Sequence, residues 1–395
     1  MLRNIFYDRK KCYAIEVIQE VIQREKKGGG ATAHFLFSEF SAHNKRMLKI
    51  VYAGLQRENY NPNRGWSFEY QNFYLTLKNM PGVDVVEYPF DVIPEIGKVK
   101  FNEGLLEFVK KEKPDILFAF MYTDELIPRT LLQIKAFGHT KTVAWFADDY
   151  WRFWNYSRHW PTYFDHVVTT YSRAVDWYRE AGFANILLSQ WACNTSMYQP
   201  VEVAKDIDVS FVGQRKSGRV RAVRALKSAG IKVECFGFGW PNGKISPEEM
   251  LSVFGRSKIS LNITDRKSLL DPSSIARLFL KKSTNHIVPD FHFRDNLKAY
   301  RHLSIPHTHA RPFELAGFNS FVISGRSEDI GKYYEENKEM VFYDDVADLG
   351  KKIKYYIAHD AERDKIARAG YARTKKDHTY DKRFREIFNK VGYNF

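Results

Sequence analysis

Short apolar runs of strand length, separated by stretches with helical spacing, recur along this chain in two consecutive series. The first is Lys49–Gly54, Val83–Tyr88, Asp115–Phe120, Thr142–Ala147, His166–Tyr171 and Asn185–Gln190. Helical patterns lie between these runs, at Phe68–Lys78, Gly104–Lys111 and Arg173–Glu180. The second series is Asp208–Gly213, Ile231–Gly237, Lys258–Thr264, Ser320–Ser324 and Met340–Asp345. Alternation of this kind demands parallel sheets, because neighbouring parallel strands can be joined only by a long crossover, usually a helix. The expected fold is therefore α/β, with two Rossmann-like doubly wound domains facing a cleft and ligands bound at the carboxyl ends of their strands.

The boundaries follow from breaks in the pattern. Residues 1–46 form an N-terminal extension in which Ile15, Val17, Ile18, Val21 and Ile22 fall near one helical face before Gly28-Gly29-Gly30. Residues 47–199 make the first domain, 200–375 the second, and 376–395 a C-terminal helix. Residues 265–304 are too long for an ordinary connection and read as an insertion near the cleft. Lys plus Arg number 61 against 47 for Asp plus Glu, a net charge of +14, which points to anionic partners: phosphate-bearing ligands, an anionic lipid surface or nucleic acid. Cys12, Cys193 and Cys235 suit neither a disulfide framework nor a zinc site. No apolar run reaches the roughly 20 residues of a membrane-spanning helix. The first residues lack a secretory signal pattern, so the expected location is cytoplasmic, with the inner membrane face as a peripheral alternative.

Chemistry is expected at a few places. Gly213 ends a strand and is followed by Arg215, Lys216 and Arg219, a turn where amides and cations converge on phosphate. Pro312 suits the first turn of a short helix and Asn319 a left-handed cap at its end, with Glu314 one turn in; His307, His309 and Arg311 precede it. Asp148 and Asp149 end the strand Thr142–Ala147, where a carboxylate can take a proton from a hydroxyl or cap the next helix. Gly65 lies in a polar loop after the first strand, where a backbone can approach a diphosphate or simply turn. Tyr150, Trp151, Phe153, Trp154, Tyr156, Trp160 and Tyr163 are dense enough to stack on sugar rings, although core packing is the commoner role of such residues. His286, His292, His302, His307 and His309 match no metal-ligand spacing, and no metal is expected. Lys375, Lys376, Lys382, Arg383 and Arg385 are candidates for a face that docks on an anionic surface, with plain solvation as the alternative.

The run Arg311-Pro-Phe-Glu-Leu-Ala-Gly-Phe-Asn-Ser-Phe-Val-Ile-Ser, followed by Asp329-Ile-Gly-Lys-Tyr-Tyr, Glu339-Met-Val-Phe-Tyr, Asp345-Val-Ala-Asp-Leu and Ala361–Thr374, resembles the carboxyl-terminal domain of group 1 glycosyltransferases, and within them the spore-maturation CgeB-like branch. The resemblance covers roughly residues 205–385. It implies the GT-B architecture, with a nucleotide-sugar between two Rossmann-like domains. It implies that Glu314, matched to the second glutamate of an E-x7-E motif, binds the donor ribose, and that Arg215 and Lys216 meet the donor diphosphate. His307 is matched to the first glutamate of that motif, a departure at the usual sugar contact.

The expected function is transfer of a sugar from a nucleotide-diphosphate donor to an acceptor hydroxyl, in envelope polysaccharide, glycolipid or protein glycosylation, by a retaining, metal-independent hexosyltransferase. The donor acts as co-substrate and no further cofactor is expected. The acceptor is a glycan, a lipid-linked group or a protein. Two other readings stand beside this one: glycosylation of modified bases in DNA, and a catalytically silent protein that binds a sugar nucleotide or polyanion.

Overall fold

The computed structural model describes residues 46–264 and 268–394. The amphipathic segment expected around Ile15–Ile22 thus lies outside the described residues. Each apolar run of the first series forms a strand: β1 (Leu48–Gly54), β2 (Val83–Pro89), β3 (Ile116–Phe120), β4 (Lys141–Phe146), β5 (His166–Thr169) and β6 (Ile186–Leu188). They make one parallel sheet in the order β2-β1-β3-β4-β5-β6. The second series gives β7 (Ile207–Val212), β8 (Glu234–Phe236), β9 (Ser257–Asn262), β12 (Val322–Gly325) and β13 (Val341–Tyr343), parallel in the order β13-β12-β9-β7-β8. Between β9 and β12 lies an antiparallel hairpin of β10 (Leu280–Ser283) and β11 (His286–Pro289), inside the segment read as an insertion.

Both sheets are buried on both faces, which is why their strands read as continuous apolar runs. Side chains nonetheless alternate: Ile50 and Tyr52 of β1 enter one core, Val51 and Ala53 the opposite one. In the second sheet Val209 and Phe211 enter one core while Val212 enters the other.

The C-terminal helix α1 (Tyr380–Val391) does not sit on the second domain that precedes it. Tyr380, Phe384, Ile387, Phe388 and Val391, at helical spacing, complete the core of the first sheet with Phe73, Phe118 and Trp145. The ring of Phe384 lies 5.4 Å from that of Phe73 and 5.7 Å from that of Phe118. Thr379 caps the helix by accepting from the Lys382 amide. The chain therefore crosses between domains twice. The two crossings are bonded to each other: the Cys193 amide donates to the His378 carbonyl at 2.9 Å, and the Tyr380 amide to the Cys193 carbonyl at 3.2 Å.

This return bears on three of the five residues of the candidate basic face. Arg383 is buried and donates to His378 at 3.0 Å, while Lys382 and Arg385 are paired with Asp377 and Asp381, each at 2.9 Å. Those charges hold the helix junction together. Lys375 and Lys376, the other two residues of that candidate face, are exposed.

Asp149 is also a correction. It has no solvent exposure; its carboxylate accepts from the Ser157 hydroxyl and, at 3.2 Å, from the Tyr178 hydroxyl. An acid so enclosed cannot reach an acceptor in the cleft. Burial pushes its pKa up to about 6.

Two outcomes are expected. Phe384→Ala empties a site between Phe73 and Phe118, with a loss of about 3–5 kcal/mol in urea unfolding; a loss below about 1 kcal/mol would mean that the helix contributes little to the first core. Asp149, with a folded pKa raised above the unfolded value, holds its proton more tightly in the folded state. Its contribution to stability therefore falls as pH rises from about 4 to about 6, by on the order of 3 kcal/mol. Asp149→Asn should remove that part of the slope, and parallel stability–pH curves for the two proteins would contradict the assignment.

Candidate functional site

The site lies where the carboxyl ends of the two sheets face each other, and the loops bring side chains from both domains into two adjoining cavities. The first cavity, of about 210 Å³, is lined by Gly213, Arg219, Asn262, His309, Arg311 and Glu314 of the second domain and by Phe68 of the first. Gly213 follows β7 directly. Its amide donates to the Phe236 carbonyl at 2.9 Å, and its own carbonyl accepts from the Trp240 indole at 2.9 Å, so the turn is held from both sides. Gly237, at φ +124°, lies so close that a Cβ there would come within 2.5 Å of the Gly213 carbonyl oxygen. Only glycine permits that approach.

Of the basic residues that follow the Gly213 turn, Arg219 and not Arg215 lines this cavity. Arg215 is exposed, with its guanidinium 6.0 Å from the centre of the Trp240 ring, outside the cavity lining. The physical reason is helical geometry: helix α2 (Ser217–Ser228) starts after Lys216, and its first turn swings Arg219 back over the Gly213 turn. Arg219 donates to the Gln214 carbonyl at 2.8 Å and the Ile263 carbonyl at 3.3 Å. Lys216 stands at the N-cap, and its charge, like that of Arg219, acts on His309.

Helix α3 (Arg311–Gly317) runs as the Pro312 and Asn319 signals predict, and Asn319 takes the left-handed conformation at φ +63°. Glu314 is buried and bonded to Arg311 at 2.7 Å. Arg311 is held above its ordinary pKa by the Glu314 carboxylate, against the opposing effect of burial. The pair gives the cavity a fixed carboxylate whose charge is already balanced.

His307 and His309 precede this helix. Strict E-x7-E spacing back from Glu314 falls on Pro306, one residue before the His307 matched by resemblance; a proline ring has no polar group to present, and the adjacent imidazole occupies the cleft. The His307 ring stacks on Tyr150 with centroids 3.7 Å apart and meets the His309 ring at 4.1 Å. Its Nε2 lies 3.8 Å from Asp148 Oδ1. His309 is pushed well below its ordinary pKa by burial, then by the His307, Arg219 and Lys216 charges, which favours the neutral ring at pH 7.

Asp148 links the two cavities. Its side chain is 45% exposed, its backbone is left-handed at φ +62°, and it makes no side-chain cap to the following turn Asp149–Arg152. Freed from capping, the carboxylate points into a second cavity of about 310 Å³, lined also by Trp151, Arg152, Arg277, Lys281 and Lys282. The wall on the far side is the segment around β10 and β11, which crosses from the second domain to the first. At its tip Ser283 donates to Asp124 at 2.9 Å and the Thr284 amide to the Thr123 hydroxyl at 2.9 Å. Helix α4 (Phe293–His302) extends the contact through Arg158–Asp295 at 2.8 Å and Asn155–Asn296 at 2.9 Å.

Gly65 lies at the rim, at φ +86° in the loop whose Arg64 carbonyl accepts from Lys244 of the second domain. It is outside both cavity linings. Tyr150, Trp151, Phe153 and Trp160 are buried in the first core, while Trp154, Tyr156 and Tyr163 pack against it. Among the described residues, no group of three or more His, Cys, Asp or Glu side chains is placed to hold a metal ion. Arg277, Lys281 and Lys282 went unnoticed in the sequence. The only signal was basic residues within an unusually long connection.

A family model described as "Glycosyl transferase-like" matches residues 287–389, about a quarter of the chain. No curated protein matches the sequence. Solved structures match over most of it. Sucrose-phosphate synthase from Thermosynechococcus elongatus superposes with a TM-score of 0.55 at 10% identity, covering 87% of this chain and 99% of its own. A glycosyltransferase from Rickettsia africae gives 0.56 at 10% identity, covering 89% and 100%. Anabaena HepE, solved in complex with UDP-glucose, gives 0.54 at 9% identity, covering 87% and 99%. At such low identity the likeness is one of fold, and because it spans both sheets and the cleft between them, the fold of this chain is the GT-B architecture.

Proposed function

We propose that this chain transfers a glycosyl group from a nucleoside-diphosphate sugar to an acceptor hydroxyl. The observation that carries the reading is the cavity in which the glycine-clamped Gly213 turn, Arg219 and the buried Glu314 converge, opposite Asp148. A nucleotide diphosphate needs a carboxylate for its ribose hydroxyls and cations with backbone amides for its phosphates. Glu314 and Arg219 with Lys216 supply those groups. The glycosyltransferase-like match at residues 287–389 includes Glu314, and HepE, of the same fold, was solved with UDP-glucose.

In this reading the bond between the sugar C1 and the diphosphate oxygen breaks as the acceptor oxygen bonds to C1. The departing charge gathers on the diphosphate, where Arg219 and Lys216 stabilise it. The acceptor proton passes to Asp148, or to the leaving phosphate if the reaction retains configuration, as the resemblance to group 1 enzymes and the CgeB-like branch implies. His307, held between Tyr150 and His309, orients the Asp148 carboxylate and lines the path between the cavities. Cationic side chains take the role that a metal ion fills in other transferases, so transfer without added metal belongs to the proposal.

Three measurements test it. UDP, GDP, dTDP and CDP are screened by thermal shift, with stabilisation of about 2.7 kcal/mol expected for the matching base at a hundredfold excess over Kd; no shift with any of the four would overturn the reading. Glu314→Gln is expected to weaken that nucleotide by about 1.5–3 kcal/mol in calorimetry. Because it leaves Arg311 buried without its carboxylate, unfolding is followed in parallel. Asp148→Asn is expected to lower turnover by about 10²–10⁴-fold and spare nucleotide affinity. A loss near the lower end fits a positioning role in a retaining reaction, and unchanged turnover removes Asp148 from the chemistry.

A further inference from the structure

The lining of the second cavity carries more cations than carboxylates. Arg152, Arg277, Lys281 and Lys282 line it, and among the described residues none of the four meets a carboxylate within 4 Å. The acids present are Asp148, which faces His307, and Asp290, whose carboxylate is bonded to His292 at 2.6 Å. Along the lining four cations face two carboxylates, a surplus of two there, while Glu125 and Asp149, buried behind it, act on Lys282 and Arg152 without meeting them within 4 Å. Charges placed so are costly unless something pairs with them.

Their attachment shows that they are held for use. Arg277 lies over the Trp151 ring at 4.5 Å, and Arg152 over the Tyr156 ring at 4.0 Å while donating to the Tyr122 carbonyl at 2.8 Å. An aromatic face supports a guanidinium without consuming its donors, so most of the N–H edges stay available for a planar, two-pronged partner. Lys282 is fixed by Asn59 at 2.8 Å and by the Tyr122 hydroxyl at 3.1 Å, while Lys281 extends exposed from the same strand. Burial and then the Arg152 charge hold Arg277 below its ordinary pKa, as expected of two like charges sharing one enclosure.

We infer that this cavity binds the acceptor through a phosphate group, with Arg152, Arg277, Lys281 and Lys282 as its ligands and the acceptor hydroxyl presented to Asp148. A phosphate monoester at neutral pH carries nearly two negative charges and matches the surplus, whereas a carboxylate neutralises only half of it. This assignment rests on the glycosyl-transfer reading, which made Asp148 the group nearest the acceptor. The phosphate can belong to a soluble sugar phosphate or to a lipid. The strand carrying Lys281 and Lys282 also exposes Leu280, and Ile287 stands exposed on its partner strand.

The test is calorimetry on the full chain, first saturated with the nucleoside diphosphate that stabilises it, so that the donor cavity is filled. Inorganic phosphate is titrated into the wild type, Arg277→Gln and Lys281→Gln, with glucuronate as the carboxylate control. Wild-type binding of phosphate, weakened tenfold or more by either substitution, is the expected result. The Lys281 side chain is exposed and has no hydrogen bond or ion pair among the described residues, so its variant reads binding even if Arg277→Gln unfolds. Nucleoside-diphosphate affinity should be the same in all three proteins; its absence in the wild type overturns the transfer reading, while the phosphate titration still reports on the cavity. Phosphate affinity equal in wild type and variants, no wild-type binding, or glucuronate binding as tightly as phosphate would overturn the inference. A short-chain phosphatidic acid binding at least tenfold more tightly than inorganic phosphate assigns the phosphate to a lipid, and equal affinity assigns it to a soluble acceptor.

Discussion

Parallel strands cannot be joined by tight turns, and the rest of this molecule depends on that restriction. Every strand of both sheets must return through a crossover, so all carboxyl ends in a sheet point the same way and all the loops that follow them gather at one edge. When two such sheets are set edge to edge, loops distant in sequence become neighbours. Gly213 after β7 and Asn262 at the end of β9 thus share one cavity, and Asp148 after β4 stands within 4 Å of His307. The same edge joins the domains: the Ser172 hydroxyl after β5 donates to Asp329 after β12 at 2.6 Å, and the Tyr171 hydroxyl to Glu328 at 2.6 Å.

The two cavities differ in their electrostatic balance. In the first cavity Glu314 and Arg311 neutralise each other in a buried pair, so the carboxylate is fixed in place before any ligand arrives. In the second cavity the cations are left without carboxylate partners among the described residues, and aromatic rings support Arg152 and Arg277. Between them His307 and His309, pressed against each other and Tyr150, form a narrow partition in which an additional positive charge is disfavoured.

The two crossings between the domains constrain how they can move. Residues near Cys193 and Thr379 pass from one domain to the other side by side and are hydrogen-bonded, so a change in domain angle must bend both at once. The return of α1 to the first core commits the chain ends of both crossings to the same body. The segment around β10 and β11 adds a third tie through Ser283 and Thr284, this one across the mouth of the second cavity.

Much of this was legible in the sequence, because parallel sheets buried on both faces write themselves as apolar runs at strand length. All the runs read as strands are strands, and the Pro312 and Asn319 signals mark the helix that carries Glu314, since φ restrictions act locally. What the sequence alone could not decide was direction. Asp148 and Asp149 are adjacent and chemically alike, yet a left-handed backbone turns one into the cleft while the other is sealed beneath Ser157 and Tyr178. Arg215 and Arg219 sit in the same basic run, and the start of a helix between them decides which one returns over the glycine turn. The four cations of the second cavity come from residues 152 and 277–282, more than a hundred positions apart, and only the crossing of the hairpin from one domain to the other sets them face to face. Local chemistry is written in the order of residues. The meeting of distant charges is not, because it follows from the packing of two whole domains.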